Sequence, residues 1–502
     1  MLSLKTMKTI LCSVLLLSLA LPLSSQAPTE TVTIDANAPA HVFPHYWEQM
    51  FGSGRAVLSL RDSYRRDLNA VHQINGFQYV RFHGILNDDV GVYGEDNHGN
   101  PIYNFSYVDQ IYDGLLAAHV KPFVELSFMP YKLAAAQFLH PFWYHPNVAA
   151  PKDYAIWDDM ITQLMKHLLE RYGIDEVAGW YFEVWNEPNL DFWAGAPRQK
   201  TYFELYDHTA RDIKTVNPRL RVGGPATAQA AWIPDMIKHA QQQHVPLDFV
   251  STHVYGNDKA SDVFGTDENI PRDQMVCRSV KKVHEEIKAS AQPNMPLIWS
   301  EYNAAYDNVV EVTDSIYMGP WLATTISQCD GLTDMMSYWS FSDVFEEQGV
   351  VKTPFYGGFG LIAAGNIPKP SFYAMKVLHN LGDQRVDNGN PNVLVTKTSD
   401  GSLVLAVWNI VNPGSTGTPR TVTLQLNGVS PKAHASIQRV DENHGNTLGL
   451  WQKMGSPRYP TPSQLEALRA QSQLGPPEAA SLTNGTVTLQ LPVNGLAVIQ
   501  VK

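Results

Sequence analysis

Between about Phe43 and Asn380, short apolar runs alternate with longer stretches whose apolar positions recur at helical spacing. The short runs, rich in β-branched and aromatic residues, predict strands over Tyr46–Gly52, Gln78–His83, Lys121–Ser127, Trp180–Glu187, Leu220–Pro225, Phe249–Tyr255, Leu297–Tyr302 and Met335–Phe341. Helices are expected between them, over Asp153–Tyr172, Thr201–Val216, Trp232–His244, Gln274–Ser290 and Thr313–Ser327. Eight strands separated by helices predict a (β/α)8 TIM barrel. An open doubly wound sheet is the alternative, but no Gly-rich phosphate-binding turn follows any of the eight runs.

Beyond Asn380 the period shortens to two. Val393–Lys397, Leu403–Trp408, Thr421–Gln425, Ser436–Arg439, Val487–Gln490 and Ala497–Val501 read as strands divided by Gly, Pro, Asn and Ser turns, the pattern of a β-sandwich. Thr31–Ile34 is a further strand, expected to join that sandwich from the N-terminal side. Tyr459–Glu478 is Pro-rich and polar, a loop with one short helix over Ser463–Gln471. The expected fold is therefore α/β: a TIM barrel over residues 43–380, with an accessory sandwich formed by 381–502 and a strand from 28–42.

Residues 1–27 have the layout of an export signal: Lys5 and Lys8, an apolar run over Ile10–Leu23, and Ser25-Gln26-Ala27 as a small-x-small cleavage site. The run is short for a bilayer and contains Pro22, so an anchoring helix is disfavoured. A secreted or periplasmic location is expected, with no membrane association after cleavage. Losing two lysines moves the formal charge from −12 to −14, which argues against nucleic acid or an anionic membrane as partner. Hydrophobic residues at 44% and charged ones at 17% exclude wholesale disorder. Of three cysteines Cys12 lies in the leader; Cys277 and Cys329 either form one bridge or stay as two buried thiols. Oligomeric state is left open.

The candidate chemistry sits at two strand ends. In Trp180–Leu190, WYFEVWNEPNL, the strand pattern stops at Asn186-Glu187-Pro188, and Pro188 is expected to hold Glu187 extended where the chain leaves the sheet. In Ile298–Tyr302, IWSEY, a second apolar strand delivers Glu301. Catalytic residues of such barrels belong at C-terminal strand ends, and a carboxyl pair is the usual means of hydrolysing a glycosidic bond. A separation of about 5–5.5 Å would mean retention and about 6.5–9.5 Å inversion. A carboxylate at the end of an apolar strand among aromatics is costly unless used or paired.

Five motifs stand in one order: RFHG at Arg81–Gly84, WNEPNL at Trp185–Leu190, STHVYG at Ser251–Gly256, WSEYN at Trp299–Asn303 and YWSFSDVFEE at Tyr338–Glu347. On these the chain resembles the family 39 glycoside hydrolases, a retaining (β/α)8 clan containing β-xylosidases and α-L-iduronidases. The resemblance runs from about Trp47 to Asn380. It implies that Glu187 is the general acid/base and Glu301 the nucleophile. It implies further that Asn186 holds the sugar 2-hydroxyl, that His253 and Tyr255 stand near the nucleophile as substrate-binding residues, and that His83 binds a hydroxyl. Trp339 would form an apolar floor, with Glu346 and Glu347 accepting hydrogen bonds from the sugar. Phe128 is a candidate for the pocket wall, and Arg81 is expected to pair structurally beneath the site.

His140 and His145 flank an aromatic loop, Phe142-Trp143-Tyr144, that should narrow the entrance, and no histidine shows a structural zinc spacing. No metal and no cofactor is expected. The implied function is a retaining exo-glycosidase, a β-D-xylosidase acting on short xylo-oligosaccharides. The alternatives are α-L-iduronidase-like, β-glucosidase or α-L-arabinopyranosidase activity, and a catalytically silent carbohydrate-binding barrel. An iduronidase would want a cation for the substrate carboxylate, and Lys352 is the only nearby one, beside two glutamates that would repel an acid sugar.

Overall fold

In the computed structural model, residues 29–502 are described; the leader expected over residues 1–27 lies outside them. The barrel strands are β1 Met50–Gly52, β2 Tyr79–Phe82, β3 Lys121–Leu126, β4 Tyr181–Val184, β5 Arg221–Thr227, β6 Phe249–Tyr255, β7 Leu297–Asn303 and β8 Met335–Tyr338. They close into one barrel, and every neighbouring pair is parallel. The helices around it are α1 Asp62–Asn75, α2 Ser106–Ala117, α3 Tyr154–Tyr172, α4 Arg198–Val216, α5 Ile233–Gln243, α6 Arg272–Lys288, α7 Met318–Gln328 and α8 Pro370–Leu378.

Local chemistry sets the element ends. Asp153 caps α3 by accepting the Ala155 N–H, and α1 stops at Gly76, whose φ of 62° lets its N–H close back on His72. The helix expected from Thr313 begins at Met318 instead, after a separate short turn over Val310–Thr313. Asp314 lies in the break and is bound by Lys369 and by the Gly357 N–H, contacts that compete with helix continuation.

The barrel interior changes character along its axis. At the N-terminal end Met50, Phe123, Phe249, Ile298 and Met335 form an apolar plug. One inward step further come Arg81, Glu125 and Glu183 together with Ser251, Ser300 and Ser337, all at 0% exposure. The inward layer therefore switches from apolar to polar and charged just below the C-terminal mouth.

The sandwich has a three-stranded sheet, Thr29–Asp35, Arg420–Asn427 and Thr486–Leu491, in which the first two run parallel. The facing sheet orders Ala40–Val42, Gln384–Val386, Val393–Lys397, Leu403–Trp408, Leu496–Val501, Ala435–Val440 and Glu478–Ala480. Leu403–Trp408 shows why one run is apolar at every position. Leu403, Leu405 and Val407 face the sandwich core, while Val404, Ala406 and Trp408 join the core of the barrel. The Pro-rich loop carries the helix Pro462–Gln471, started by a Thr461–Gln464 capping box; a second short helix, Thr447–Lys453, had no signal in the apolar pattern. Cys277 on α6 and Cys329 at the end of α7 are bridged, with Cα atoms 5.1 Å apart. Among the described residues no helix is long and apolar enough to cross a membrane.

Candidate active site

The site is built on one buried guanidinium. Arg81 on β2 donates to Glu183 Oε2 on β4 and to Glu301 Oε1 on β7, both at 2.6 Å, and to Asn186 Oδ1 at 3.0 Å. Glu125 Oε2 on β3 lies 2.7 Å from the same group. Burial works against the charge of Arg81, but the three carboxylates outweigh it and push its pKa up. Arg81 therefore touches Glu301 directly, where only a supporting role beneath the site was expected.

Glu301 receives a second donor, the Tyr255 hydroxyl on β6, at 2.6 Å on Oε2. Burial first, then the neighbouring Glu301 and Glu187, hold the Tyr255 phenol well above its usual pKa, so it stays a donor. Facing this pair, Glu187 follows β4 on a loop. Its backbone departs from the extended form expected before Pro188: φ is 43°, and Trp185 also has φ of 73°. The Glu187 N–H binds Ala226 O at 2.8 Å, and the Asn189 amide binds both the N–H and the carbonyl of Ala228. These bonds to the end of β5 and the residue just after it hold a left-handed turn that a non-glycine residue adopts only at a cost of about 1–3 kcal/mol. The turn aims the carboxyl into the mouth.

One oxygen of Glu187, one of Glu301 and a ring nitrogen of His253 lie within 4.8 Å of one another. Burial raises the Glu187 pKa well above the ordinary value, and the charges of Glu301 and Asp258 raise it further. His253 Nδ1 is 3.0 Å from Glu187 Oε1 and 3.7 Å from Glu301 Oε1, and Nε2 is 3.1 Å from Ser300 Oγ. Burial, Arg81 and His83 push the His253 pKa well down, which makes a neutral imidazole. Both oxygens of Glu301 already hold donors, so the trio suits proton transfer better than metal coordination.

A cavity of about 270 Å³ opens over these groups, lined by His83, Asn186, Glu187, Tyr255, Glu301, Trp339 and Glu347 among others. His83 Nδ1 binds Glu125 Oε2 at 2.7 Å, and Nε2 points toward Glu301 and Glu347 at 3.8 and 3.6 Å. Burial lowers its pKa, but Glu125 more than compensates and the net shift is upward. Trp339 needs Gly52 beneath it, because a Cβ on that strand residue would fall inside the indole. Burial carries Glu347 up to about 8, with His83 opposing. The Glu347 carbonyl accepts the Trp143 N–H at 2.7 Å, which fastens the aromatic loop and sets Phe142 in the cavity wall.

Three expectations are corrected. Glu346 does not reach the cavity: Arg55 and Arg61 clamp its two oxygens at 3.0 and 2.6 Å. Phe128 is fully buried behind the wall, between His83, Trp185 and Phe192. His253 is also fully buried and meets the acid as well as the nucleophile, so it touches the carboxyls from below and does not line the cavity. Glu125 and Glu183 escaped the reading of the chain, although a charged residue inside an apolar strand was their signal. Asp258, Phe192, Gln229, Tyr306 and Gln348 of the lining escaped it too, because they come from irregular loops. A wider polar groove of about 730 Å³ adjoins the cavity through Asp258 and shares no other lining residue with it.

Comparison with known proteins agrees with this arrangement. The family described as "Glycosyl hydrolases family 39" matches residues 30–484. A β-xylosidase of Geobacillus stearothermophilus is 38% identical over 459 residues, covering 89% of this chain and 90% of its own. One from Caldicellulosiruptor saccharolyticus is 36% identical over 468 residues, covering 91% and 94%. The structure of a GH39 β-xylosidase from Caulobacter crescentus superposes with a TM-score of 0.82 at 33% identity, over 94% of this chain and all of that one. The barrel, the ordered motifs and the match over nearly the whole chain together place this protein in glycosyl hydrolase family 39, as an enzyme that hydrolyses glycosidic bonds.

Proposed function

We propose that the chain is a retaining exo-β-D-xylosidase that works by double displacement. The observation that carries this reading is the close carboxyl pair with opposite surroundings. Oxygens of Glu187 and Glu301 lie within 4.8 Å, in keeping with the roughly 5–5.5 Å of retaining enzymes. Glu187, raised by burial and by its neighbours, holds the proton that the leaving oxygen needs. Glu301, oriented by Arg81 and Tyr255, attacks the anomeric carbon from the other face and forms a glycosyl ester. Esterification removes the Glu301 charge, so Glu187 loses one cause of its raised pKa and can take a proton from the incoming water. Asn186 has its carbonyl oxygen on Arg81, which leaves its amide N–H₂ to meet a substrate hydroxyl.

The choice of glycone rests on charge. Among the described residues no lysine or arginine lines the cavity, Lys352 is exposed outside it, and Arg55 and Arg61 are taken up by Glu346. His83, the basic group in the lining, is already matched by Glu125, so a uronate would find no free cation, which favours a neutral pentose over iduronate. Repulsion by a glutamate pair plays no part in this preference, because Glu346 is paired and Glu347 is protonated near neutral pH. A volume of about 270 Å³ is at the small end of ligand pockets, roughly 300–1,000 Å³, and suits a chain end. The β-xylosidase names of the two bacterial relatives point the same way. The bridged cysteines favour export to an oxidising compartment, in line with the leader.

The test is a panel of p-nitrophenyl glycosides, with product stereochemistry followed by NMR. The β-xyloside should be turned over best and release the β-anomer of xylose first. A first-formed α-anomer would overturn retention, and inactivity on the β-xyloside beside turnover of another sugar would overturn the glycone.

A further inference from the structure

At the other end of the barrel, the segment leading into β1 and the residue after α8 bring together three side chains that the glycosidase chemistry does not use. His45 Nδ1 lies 2.5 Å from Glu48 Oε1, and His379 Nδ1 lies 2.9 Å from the same oxygen. The two rings stand nearly perpendicular, with centroids 6.1 Å apart, and one donor atom from each of the three residues falls within 4.8 Å of the others. Glu48 is 5% exposed, and its Oε2 is buried with no hydrogen-bond partner among the described residues. The histidine side chains keep 24% and 43% of their surface open, so an ion can arrive from solvent.

As a hydrogen-bonded clamp this cluster is incomplete. Two imidazoles crowd one carboxylate oxygen while the other is left empty in the interior, an arrangement that costs about 1–3 kcal/mol. Metal–ligand bonds of about 2.0–2.2 Å put tetrahedral ligand atoms roughly 3.3–3.6 Å apart. The present contacts of 2.5 and 2.9 Å are therefore hydrogen-bonded and must open to admit an ion, within a cluster whose donor atoms already lie inside 4.8 Å of one another. Two neutral imidazoles and one carboxylate suit zinc and its neighbours, whereas calcium and magnesium want an oxygen cage.

We propose that His45, Glu48 and His379 form a binding site for a divalent transition metal of the zinc class, with both Nδ1 atoms and the Glu48 carboxylate as ligands and water completing the shell. The ion ties the approach to the first barrel strand to the exit of the last barrel helix. It does so where the Phe43 N–H meets Asp383 O and where Ala40–Val42 pairs with Gln384–Val386. Its work is structural: it joins both ends of the barrel beside the sandwich.

The experiment uses the whole chain, stripped with chelator and titrated with zinc chloride. Calorimetry and thermal melting provide the readout, and glycoside turnover is followed separately. One zinc per chain should bind and raise the melting temperature. His379→Ala, a change at a half-exposed position, should weaken binding about tenfold or more and lose the rise, with metal-free turnover unchanged. Cobalt should give a visible absorption band in the wild type and none in His379→Ala. The proposal fails if zinc does not raise the wild-type melting temperature, or if His379→Ala shows the same rise, as zinc held by Glu187, His253 and Glu301 would produce. Neither result bears on the glycosidase reading, which is scored by turnover.

Discussion

The sandwich core is made of Val32, Ile34, Val395, Leu405, Val407, Leu424, Leu489, Ile499 and similar side chains, which interdigitate between two sheets. The upper barrel, of comparable depth, instead packs Arg81, His83, Glu125, Glu183 and Glu301 at 5% exposure or less. The first arrangement gains free energy with each apolar group removed from water. The second takes charges out of water and recovers that cost only through a complete set of partners. Stability to spare therefore lies in the sandwich, which can lose a methylene and stay folded. The barrel mouth holds a costly arrangement whose return is a reactive carboxyl pair.

The largest expected effect separates activity from stability at the mouth. Glu301→Ala should cut turnover of the β-xyloside on the order of 10⁴-fold or more, with azide restoring part of it by taking the vacated position. The melting temperature should change far less than this loss would suggest. A collapse of stability in parallel would mean that Glu301 is chiefly a structural partner of Arg81. Arg81→Met tests the other side of the comparison. It strands three buried carboxyls, and denaturant melts should show a loss of about 4 kcal/mol. A neutral result would mean that the carboxyls can simply take up protons. In the sandwich, Leu405→Ala should cost about 3 kcal/mol through lost burial and a cavity, and kcat at 25 °C should be unchanged. A fall in kcat would show that the sandwich supports the site mechanically.

The smallest effect concerns pH. Burial raises Asp258 from 3.8 to about 7, so its protonated form favours the folded state. That contribution is complete below about pH 4 and is lost as the pH climbs through 7. Asp258→Asn should therefore flatten the decline in stability over this range. Above pH 7 the charged Asp258 also raises Glu187. Removing it should move the alkaline limb of the kcat/KM profile to lower pH, because Glu187 must be protonated to act as the acid. An unmoved limb would mean that Asp258 is too well screened to act on the acid.

What could be read from residues alone follows the same division. The eight barrel strands were legible because each is a buried apolar run, although the structure shortens several; Trp180–Glu187 becomes Tyr181–Val184. Glu187 and Glu301 were legible because a carboxylate that ends an aromatic strand is too costly to bury without a use. The pairing of Arg81 with Glu125 and Glu183 was hidden because alternation marks an inward position without naming what fills it. The clamp of Arg55 and Arg61 on Glu346, and the meeting of His45 with His379, join residues hundreds of positions apart, beyond any local pattern. The left-handed Glu187 was misread because the local rule for residues before proline yields here to hydrogen bonds from the next strand.

The parallel pairing of Thr29–Asp35 with Arg420–Asn427 has a consequence for the order in which the chain can fold during synthesis. The barrel is complete in sequence long before Arg420 leaves the ribosome, so it can close while Thr29–Asp35 still has no partner. The earliest described strand must then wait as a loose end with unpaired backbone groups until nearly the last part of the chain arrives. A translational pause or truncation before Arg420 would leave a folded barrel trailing a sticky strand, the kind of edge that invites pairing with another chain.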